Sequence, residues 1–216
     1  MAQVKAKVKT KPSALKYCFI KGEGRNQEID NTKPANMCFT ATAVVPKDSE
    51  AHKDIVAQLE KVWEAYKKEE PKAKGTLKTS AIKDEMIRDP KGTIDPETDE
   101  VKRVPTGNVV ISMYTKTTWA DGKPKTVKKY LGTADITTAY DNEDWSIGEG
   151  STGIIHGMAV GNTGGGNAKI TLYLSAVQIG KLVKYEGDDV ELDELEAEGD
   201  IDVADTTTES SETPDL

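Results

Sequence analysis

The sequence predicts a mainly β protein, a small closed or partly open barrel of about five to six strands with one main α-helix. Three observations support this class. Apolar and polar residues alternate over several segments, as they do in half-buried strands. One segment alone has helical spacing. The connections are short and rich in glycine, and no βαβ alternation occurs, so a barrel fits better than a sandwich or a Rossmann sheet.

Charge divides the chain into a basic body and an acidic tail. The 216 residues carry 29 basic and 37 acidic side chains, a net charge of −8. Residues 187–216 hold 13 of the acids and no lysine, arginine or histidine, which leaves 24 acids against all 29 bases in residues 1–186, a net charge of +5. We expect the tail to be disordered, because a block of like charges stays solvated.

A basic body joined to an acidic tail favours a polyanion-binding surface with a built-in competitor. The alternative is a tail that only keeps the protein dispersed. No apolar run approaches the ~18 residues that span a bilayer, and the first residues lack the apolar stretch of a signal peptide. Cys18 and Cys38 cannot make a disulfide framework, so we expect both to be buried in a protein of a reducing cytoplasm.

The first third of the chain predicts an arm, two strands and a helix. Residues 1–12 carry four alternating lysines and no acid, which indicates a flexible basic arm before a domain at 13–186. Strands are predicted over 15–21 and 37–46. The helix lies within 48–70, with Asp48 or Ser49 as the N-cap. Its apolar positions at helical spacing are Ile55, Leu59, Val62 and Tyr66, and Trp63 is expected to pack on the barrel.

The rest of the body predicts four more strands. Residues 71–107 contain many prolines and glycines that interrupt any helical or strand period, so this segment is expected to be irregular. The pair Asp121 and Gly122 marks a hairpin turn, and a glycine-rich turn precedes the last strand. The strands are predicted at 108–119, 125–140, 150–162 and 167–185.

Alternation assigns faces to these strands. Inward positions are Val109, Ile111, Met113, Ile170, Leu172, Leu174 and Ala176. Outward positions are Ser112, Tyr114, Lys116, Lys169, Thr171, Tyr173 and Ser175. Lys128 and Tyr130 share one face of their strand, and Trp119 lies near the hairpin tip.

Aromatic rings and lysines together on an outward face are what single-stranded nucleic acid needs, since bases stack on rings while ammonium groups follow the phosphates. The candidate DNA-binding residues are Tyr114, Lys116, Trp119, Lys128, Tyr130, Lys169 and Tyr173, with Tyr17 and Phe19 as a second group. The alternative for each ring is that it only covers a neighbouring strand.

No catalytic residue, metal site or cofactor is predicted. His52 and His156 lack the partner ligands of a zinc site, and the glycine-rich segment 161–167 lacks the lysine of a phosphate-binding loop. The acids Asp95, Glu97, Asp99 and Glu100 could gather a divalent metal, as in two-metal nucleases. They lie in one flexible loop rather than on rigid strands, so a nuclease is the weaker hypothesis.

Several segments together resemble the replication single-stranded DNA-binding proteins of tailed bacteriophages. They are "ALKYCFIKG", "MCFTATAVVPK" leading into the helix, "WSIGEGSTGIIHGMAVGN", and "ITLYLSAVQIGKLVKYEG" before the acidic tail. The most specific is "LYLSAVQIGKLVKYEG", residues 172–187. The resemblance implies an OB-fold, binding of single-stranded DNA with little sequence preference, a homodimer in some members, and the cytoplasm of the infected bacterial host.

The resemblance also implies that the tail contacts a phage or host DNA polymerase, helicase or recombinase. Such tails commonly end in an aromatic residue, whereas this one ends in Leu216, so docking is expected to use Leu192 and Leu195 as well. The acids beside them are Asp188, Asp189, Glu191, Asp193 and Glu194. The competing hypothesis is a phage structural or chaperone-like protein whose acidic tail handles a basic partner.

Overall fold

The computed structural model describes residues 4–28, 35–163 and 167–185. These residues form twelve strands and two helices. The strands are β1 (Lys5–Lys9), β2 (Ser13–Phe19), β3 (Arg25–Asn26), β4 (Met37–Pro46), β5 (Ile82–Arg88), β6 (Arg103–Lys116), β7 (Lys128–Leu131), β8 (Ala134–Asp135), β9 (Ser146–Ile147), β10 (Thr152–Asn162), β11 (Lys169–Lys181) and β12 (Lys184–Tyr185). The helices are α1 (Glu50–Glu69) and α2 (Thr137–Asp141). The predicted acidic tail lies outside the described residues.

Five of the strands close on themselves as a barrel. The order is β2, β4, β6, β11, β10 and back to β2. Four of the five pairings are antiparallel, and β6 with β11 is parallel. This is the five-stranded barrel of an OB-fold, so the predicted fold class is confirmed.

The core fills the barrel from the predicted inward faces. Ile111, Met113 and Leu172 are almost completely buried, as their alternation requires. Ala176 is the exception among the predicted inward residues, because the pairing of β10 with β11 shifts register between His156 and Gly157. The extra residue in β11 reverses the alternation, so the next inward side chains are Val177 and Ile179.

Helix α1 packs its apolar stripe on the barrel. The backbone N–H of His52 donates to the Ser49 hydroxyl at 3.2 Å, which identifies Ser49 as the N-cap. The predicted apolar positions of this helix are buried. Trp63 is also buried and its indole N–H donates to the Gly75 carbonyl at 3.1 Å, so its predicted packing is confirmed.

The prediction of a flexible arm at 1–12 is wrong for the described residues. Lys5–Lys9 forms β1 and pairs with Val160 to His156 of β10. The physical reason is the alternation of Val4, Ala6 and Val8 with the lysines. Those three apolar side chains pack against the core while the lysines point to solvent.

The prediction of an irregular segment at 71–107 is wrong in part. β5 lies within it and forms a hairpin with the first half of β6. The buried Glu85 carboxylate attaches this hairpin to the barrel, accepting hydrogen bonds from Thr106 Oγ1 at 2.7 Å, Asn108 Nδ2 at 3.0 Å and Lys16 Nζ at 3.2 Å. The bonds from Asn108 and Thr106 hold the pKa of Glu85 below its ordinary value, so the carboxylate is ionised.

The segment predicted as one strand at 125–140 contains β7, β8 and all but the last residue of α2. The turn at Gly122 is present, with a positive φ of 81°, but β7 pairs in parallel with β11 rather than back onto β6. The side chain of Lys129 in β7 is buried and paired with Asp141 of α2. That contact ties α2 to the strand.

Among the described residues, no helix is both long enough and apolar enough to cross a lipid bilayer.

The close approach of β10 to β11 depends on Gly157. A Cβ added there would lie 2.6 Å from the Tyr173 carbonyl oxygen and would also overlap the Met113 sulfur. We expect Gly157→Ala to lower the free energy of unfolding by about 1–3 kcal/mol, the usual cost of overpacking. Gly180→Ala is the matched control, because its added Cβ would meet nothing closer than 3.7 Å. Chemical denaturation of both variants measures the difference, and equal stability would contradict the packing account.

Candidate nucleic-acid interface

One row of residues crosses four strands on the outside of the barrel. Phe19 of β2 pairs with Thr40 of β4, Thr40 pairs with Tyr114 of β6, and Tyr114 pairs with Tyr173 of β11. Residues directly opposite in neighbouring strands point to the same face. These four side chains therefore form one line on the outer surface, which we call the aromatic row.

The rings of the aromatic row are accessible. Phe19 is 41% exposed, Tyr114 is 40% exposed and Tyr173 is half-buried. The rings of Tyr114 and Tyr173 lie 5.9 Å apart between centroids and are tilted by 55°. Burial, with Tyr173 as a further cause, raises the pKa of Tyr114 above its ordinary value, so its ring stays neutral. The predicted outward placement of Tyr114 and Tyr173 is confirmed.

Cationic side chains flank the aromatic row on one side. Arg25 of β3 pairs with Cys38 of β4, and Cys38 pairs with Lys116 of β6, which makes a parallel row next to the aromatic one. Lys116 is exposed. The Arg25 guanidinium lies over the Phe19 ring, 5.4 Å from its centroid, so it is held close to the aromatic row by a cation–π contact.

The row on the other side of the aromatic row is polar, and its lysine is already paired with carboxylates. It joins Lys16, Thr42 and Ser112. The hydroxyls of Thr42 and Ser112 hydrogen-bond each other at 3.0 Å. Lys16 Nζ lies 3.2 Å from both the Glu85 and the Glu149 carboxylates, so its charge is already balanced within the protein.

Tyr17 adds a further ring beside the row. The register of β2 with β4 shifts between Lys16 and Phe19, and Tyr17 occupies this bulge with a φ of 52° and is 61% exposed. A positive φ is a genuine outlier for a bulky residue. The Tyr17 carbonyl accepts the Thr40 hydroxyl at 3.4 Å. The strained backbone turns the ring outward.

The other predicted candidates lie at the margins of this surface. Trp119 is 60% exposed in the turn after β6, with Lys125 Nζ 4.3 Å from its ring centroid. Lys169 is half-buried on β11, four residues before Tyr173 on the same face. Lys128 and Tyr130 lie beside Ala176 and Gln178, beyond the bulge in β11.

Lys128 and Tyr130 are therefore separated from the aromatic row by roughly 10–17 Å along β11. Lys128 is paired with Asp135 at 3.2 Å, and Tyr130 is half-buried. Arg25, by contrast, was not among the predicted residues. It lies in a turn-rich segment where alternation carries no signal, and only the pairing of β3 with β4 brings it to the surface.

The acids of the β5–β6 hairpin tip do not make a metal site. Within the ranges that the structure describes, no three histidine, cysteine, aspartate or glutamate side chains converge to hold a metal ion, and this includes Asp95, Glu97, Asp99 and Glu100. The Asp95 side chain accepts instead from the backbone N–H of Glu97 at 3.0 Å. It shapes the loop locally.

No protein-family model and no curated protein matches this sequence. Solved structures do match. The crystal structure of gp2.5, a single-stranded DNA-binding protein encoded by bacteriophage T7, superposes with a TM-score of 0.52 at 13% identity, over 91% of this chain and 100% of that one. The chain has the fold of phage single-stranded DNA-binding proteins.

A second match is the single-stranded DNA-binding protein of bacteriophage Enc34 in complex with single-stranded DNA. Its TM-score is 0.51 at 18% identity, over 84% of this chain and 89% of the Enc34 chain. At such low identities the likeness concerns the fold. The resemblance inferred from the sequence is confirmed at that level.

The strain at Tyr17 can be measured. A left-handed backbone costs an L-residue roughly 1–2 kcal/mol, and the greater chain entropy of glycine offsets about 0.5–1 kcal/mol of any relief. We therefore expect Tyr17→Gly to be more stable than Tyr17→Ala by up to about 1.5 kcal/mol in chemical denaturation. Both variants lack the ring, so each controls for its loss. A glycine variant less stable than the alanine variant would contradict the strained geometry.

Proposed function

We propose that this protein coats single-stranded DNA, with little sequence preference, during phage DNA replication, recombination or repair. The observation that carries the proposal is the aromatic row, three accessible rings in register across four barrel strands with Arg25 and Lys116 beside it. In OB-folds the face of the second and third barrel strands is a binding surface for oligonucleotides. Here those strands are β4 and β6.

The chemistry of the row suits unpaired bases. A base stacked on an aromatic ring contributes roughly 1–3 kcal/mol, and every base has a face to stack. The cations Arg25 and Lys116 lie where they can follow the phosphates. A duplex hides its base faces, so the row discriminates between single and double strands through stacking.

The polar groups near the row supply little reading of base edges. The hydroxyls of Thr42 and Ser112 hydrogen-bond each other, which leaves one hydroxyl proton for other partners, and Lys16 is paired with two carboxylates. Sequence is read by hydrogen bonds to base edges. Binding through ring faces and phosphates alone therefore leaves little sequence preference.

The proposal also covers the kind of protein and its location. The protein acts without catalysis, in the cytoplasm of the infected bacterial host.

The matched structures support this function by what they bind. The T7 and Enc34 proteins are single-stranded DNA-binding proteins, and the Enc34 protein was solved with single-stranded DNA. The decisive experiment compares the affinity for a single-stranded oligonucleotide with that for a duplex of the same length over a salt series. We expect the single strand to bind more tightly, with a salt slope of about −0.7 for each phosphate contact. Equal affinity for both forms would contradict the proposal.

The acidic tail gives the proposal its regulatory part. Residues 188–216 compete with DNA for the basic body and, when DNA displaces them, contact a DNA polymerase, helicase or recombinase of the phage or host. Leu192, Leu195 and Leu216 supply apolar contacts among the acids. A homodimer, which the resemblance implies for some members, stays a prediction.

The aromatic row can be tested ring by ring. We expect Tyr114→Ala and Tyr173→Ala each to weaken single-stranded DNA binding by about 5- to 150-fold, which corresponds to about 1–3 kcal/mol of stacking. Tyr130→Ala is the matched control, because Tyr130 lies away from the row and should change affinity little. Fluorescence anisotropy with labelled oligothymidine measures all three. An equal loss in Tyr130→Ala would contradict the assignment of the row.

The competing tail can be tested by deletion of residues 188–216. A tethered segment samples its own domain at an effective concentration on the order of mM. If its local dissociation constant is about 0.1 mM, the tail costs DNA roughly tenfold in affinity. We expect the truncated protein to recover that factor at low salt and less at high salt, since screening weakens the competition.

The control for the deletion is a tail of equal length in which asparagine and glutamine replace the acids. It should behave like the truncation. DNA affinity that is unchanged, or weaker, in both variants at low salt would show that the tail does not compete.

A further inference from the structure

A groove of about 480 Å³ opens at the end of the aromatic row. Its walls come from three parts of the chain that are distant in sequence, the first of which includes both the end of a strand and the turn after it. They are Tyr17 to Ile20 at the end of β2 with the turn from Lys21 to Gly24, the stretch from Ser146 to Glu149, and Tyr185 of β12. Phe19 belongs to both the aromatic row and the groove, so the two surfaces are continuous.

Three aromatic side chains with large exposed areas surround this groove. They are Tyr17, Phe19 and Tyr185, and Tyr185 is 51% exposed. Exposed apolar groups gathered on one surface indicate an interaction site, whereas scattered ones need no explanation. Tyr185 was not among the predicted DNA-binding residues. It ends the strand predicted over 167–185, which the structure divides into β11 and β12.

Strand pairing and backbone hydrogen bonds hold the segment that carries Tyr185 in place. β12 pairs with Ser146 and Ile147 of β9. The backbone N–H of Gly148 donates to the Val183 carbonyl at 2.8 Å, and the N–H of Val183 donates to the Ser151 hydroxyl at 2.9 Å. A Cβ at Gly148 would lie 3.1 Å from the Tyr185 Cβ, so this close approach suits glycine.

The charges at the groove are already engaged. Lys21 Nζ donates to the backbone carbonyls of Glu143 and Trp145, at 2.5 and 2.6 Å. The Glu149 carboxylate is paired with Lys16 at 3.2 Å. The groove therefore offers mainly ring faces, with the Arg25 guanidinium over the Phe19 ring, which suits a planar group better than a phosphate alone.

We propose that Tyr17, Phe19 and Tyr185 form a second stacking site, which takes an unstacked nucleobase of the same DNA strand that crosses the Tyr114–Tyr173 pair. The inference rests on the proposed function and adds to it the path of the DNA strand over the protein surface. The strand runs along the aromatic row, passes Phe19 and ends in the groove beside β12. The bound length is thus set by two ring clusters rather than one.

The test is an oligothymidine length series with wild-type protein, Tyr185→Ala and Tyr185→Phe. For oligonucleotides long enough to reach both clusters, we expect Tyr185→Ala to lose about 5- to 150-fold in affinity, the fold-change that one stacked base contributes. The shortest oligonucleotides that bind should show little change. Tyr185→Phe keeps the ring and should bind like wild type at every length.

Tyr185→Leu distinguishes stacking from general apolar contact, since it keeps bulk without a ring and should lose affinity as the alanine variant does. Wild-type affinity in Tyr185→Leu or Tyr185→Ala at all lengths would overturn the second site while leaving the proposed function intact. Failure of the wild type to bind single-stranded DNA would instead overturn the proposed function. Thermal unfolding of the wild type and of every variant compares their stabilities. If the alanine variant unfolds, the difference in affinity between the leucine and phenylalanine variants still tests the second stacking site.

Discussion

The register of β2, β4, β6 and β11 is the constraint on which the outer surface depends. Side chains alternate with a period of two, so a slip of one residue in β6 would bury Tyr114 and expose Met113. The inward side chains Ile111, Met113 and Leu172 fix this register through their burial. The core therefore positions the rings: the same alternation that fills the barrel places Phe19, Tyr114 and Tyr173 on one line outside it.

Local alternation was enough to predict part of this architecture. The bounds of β4, an N-cap at Asp48 or Ser49, and the faces of β6 were predicted from residues close together in sequence. All three predictions are confirmed, with Ser49 as the N-cap. Pairing partners depend on distant residues and were not predictable in the same way. β5 is held by the buried Glu85, whose partners Lys16 and Asn108 are 69 and 23 residues away, and nothing in the sequence near 85 indicates them.

At the candidate site, too, local alternation predicted some residues, whereas the position of others depends on pairing between distant strands. Tyr114, Lys116 and Tyr173 were selected from alternation within their own strands, and the structure brings them together. Lys128 and Tyr130 fit the same pattern, yet the bulge in β11 and the parallel pairing of β7 place them elsewhere. Tyr17 and Phe19 were secondary candidates, and the structure places Tyr17 in a bulge of β2 and Phe19 in the aromatic row.

The central claim is that single-stranded DNA lies across the outer faces of β2, β4, β6 and β11. Photocross-linking with 5-iododeoxyuridine oligonucleotides, followed by mapping of the cross-linked peptides, tests it most directly. The account predicts cross-links on peptides that contain Phe19, Tyr114 and Tyr173. Cross-links confined to α1 or to the tip of the β5–β6 hairpin would contradict it.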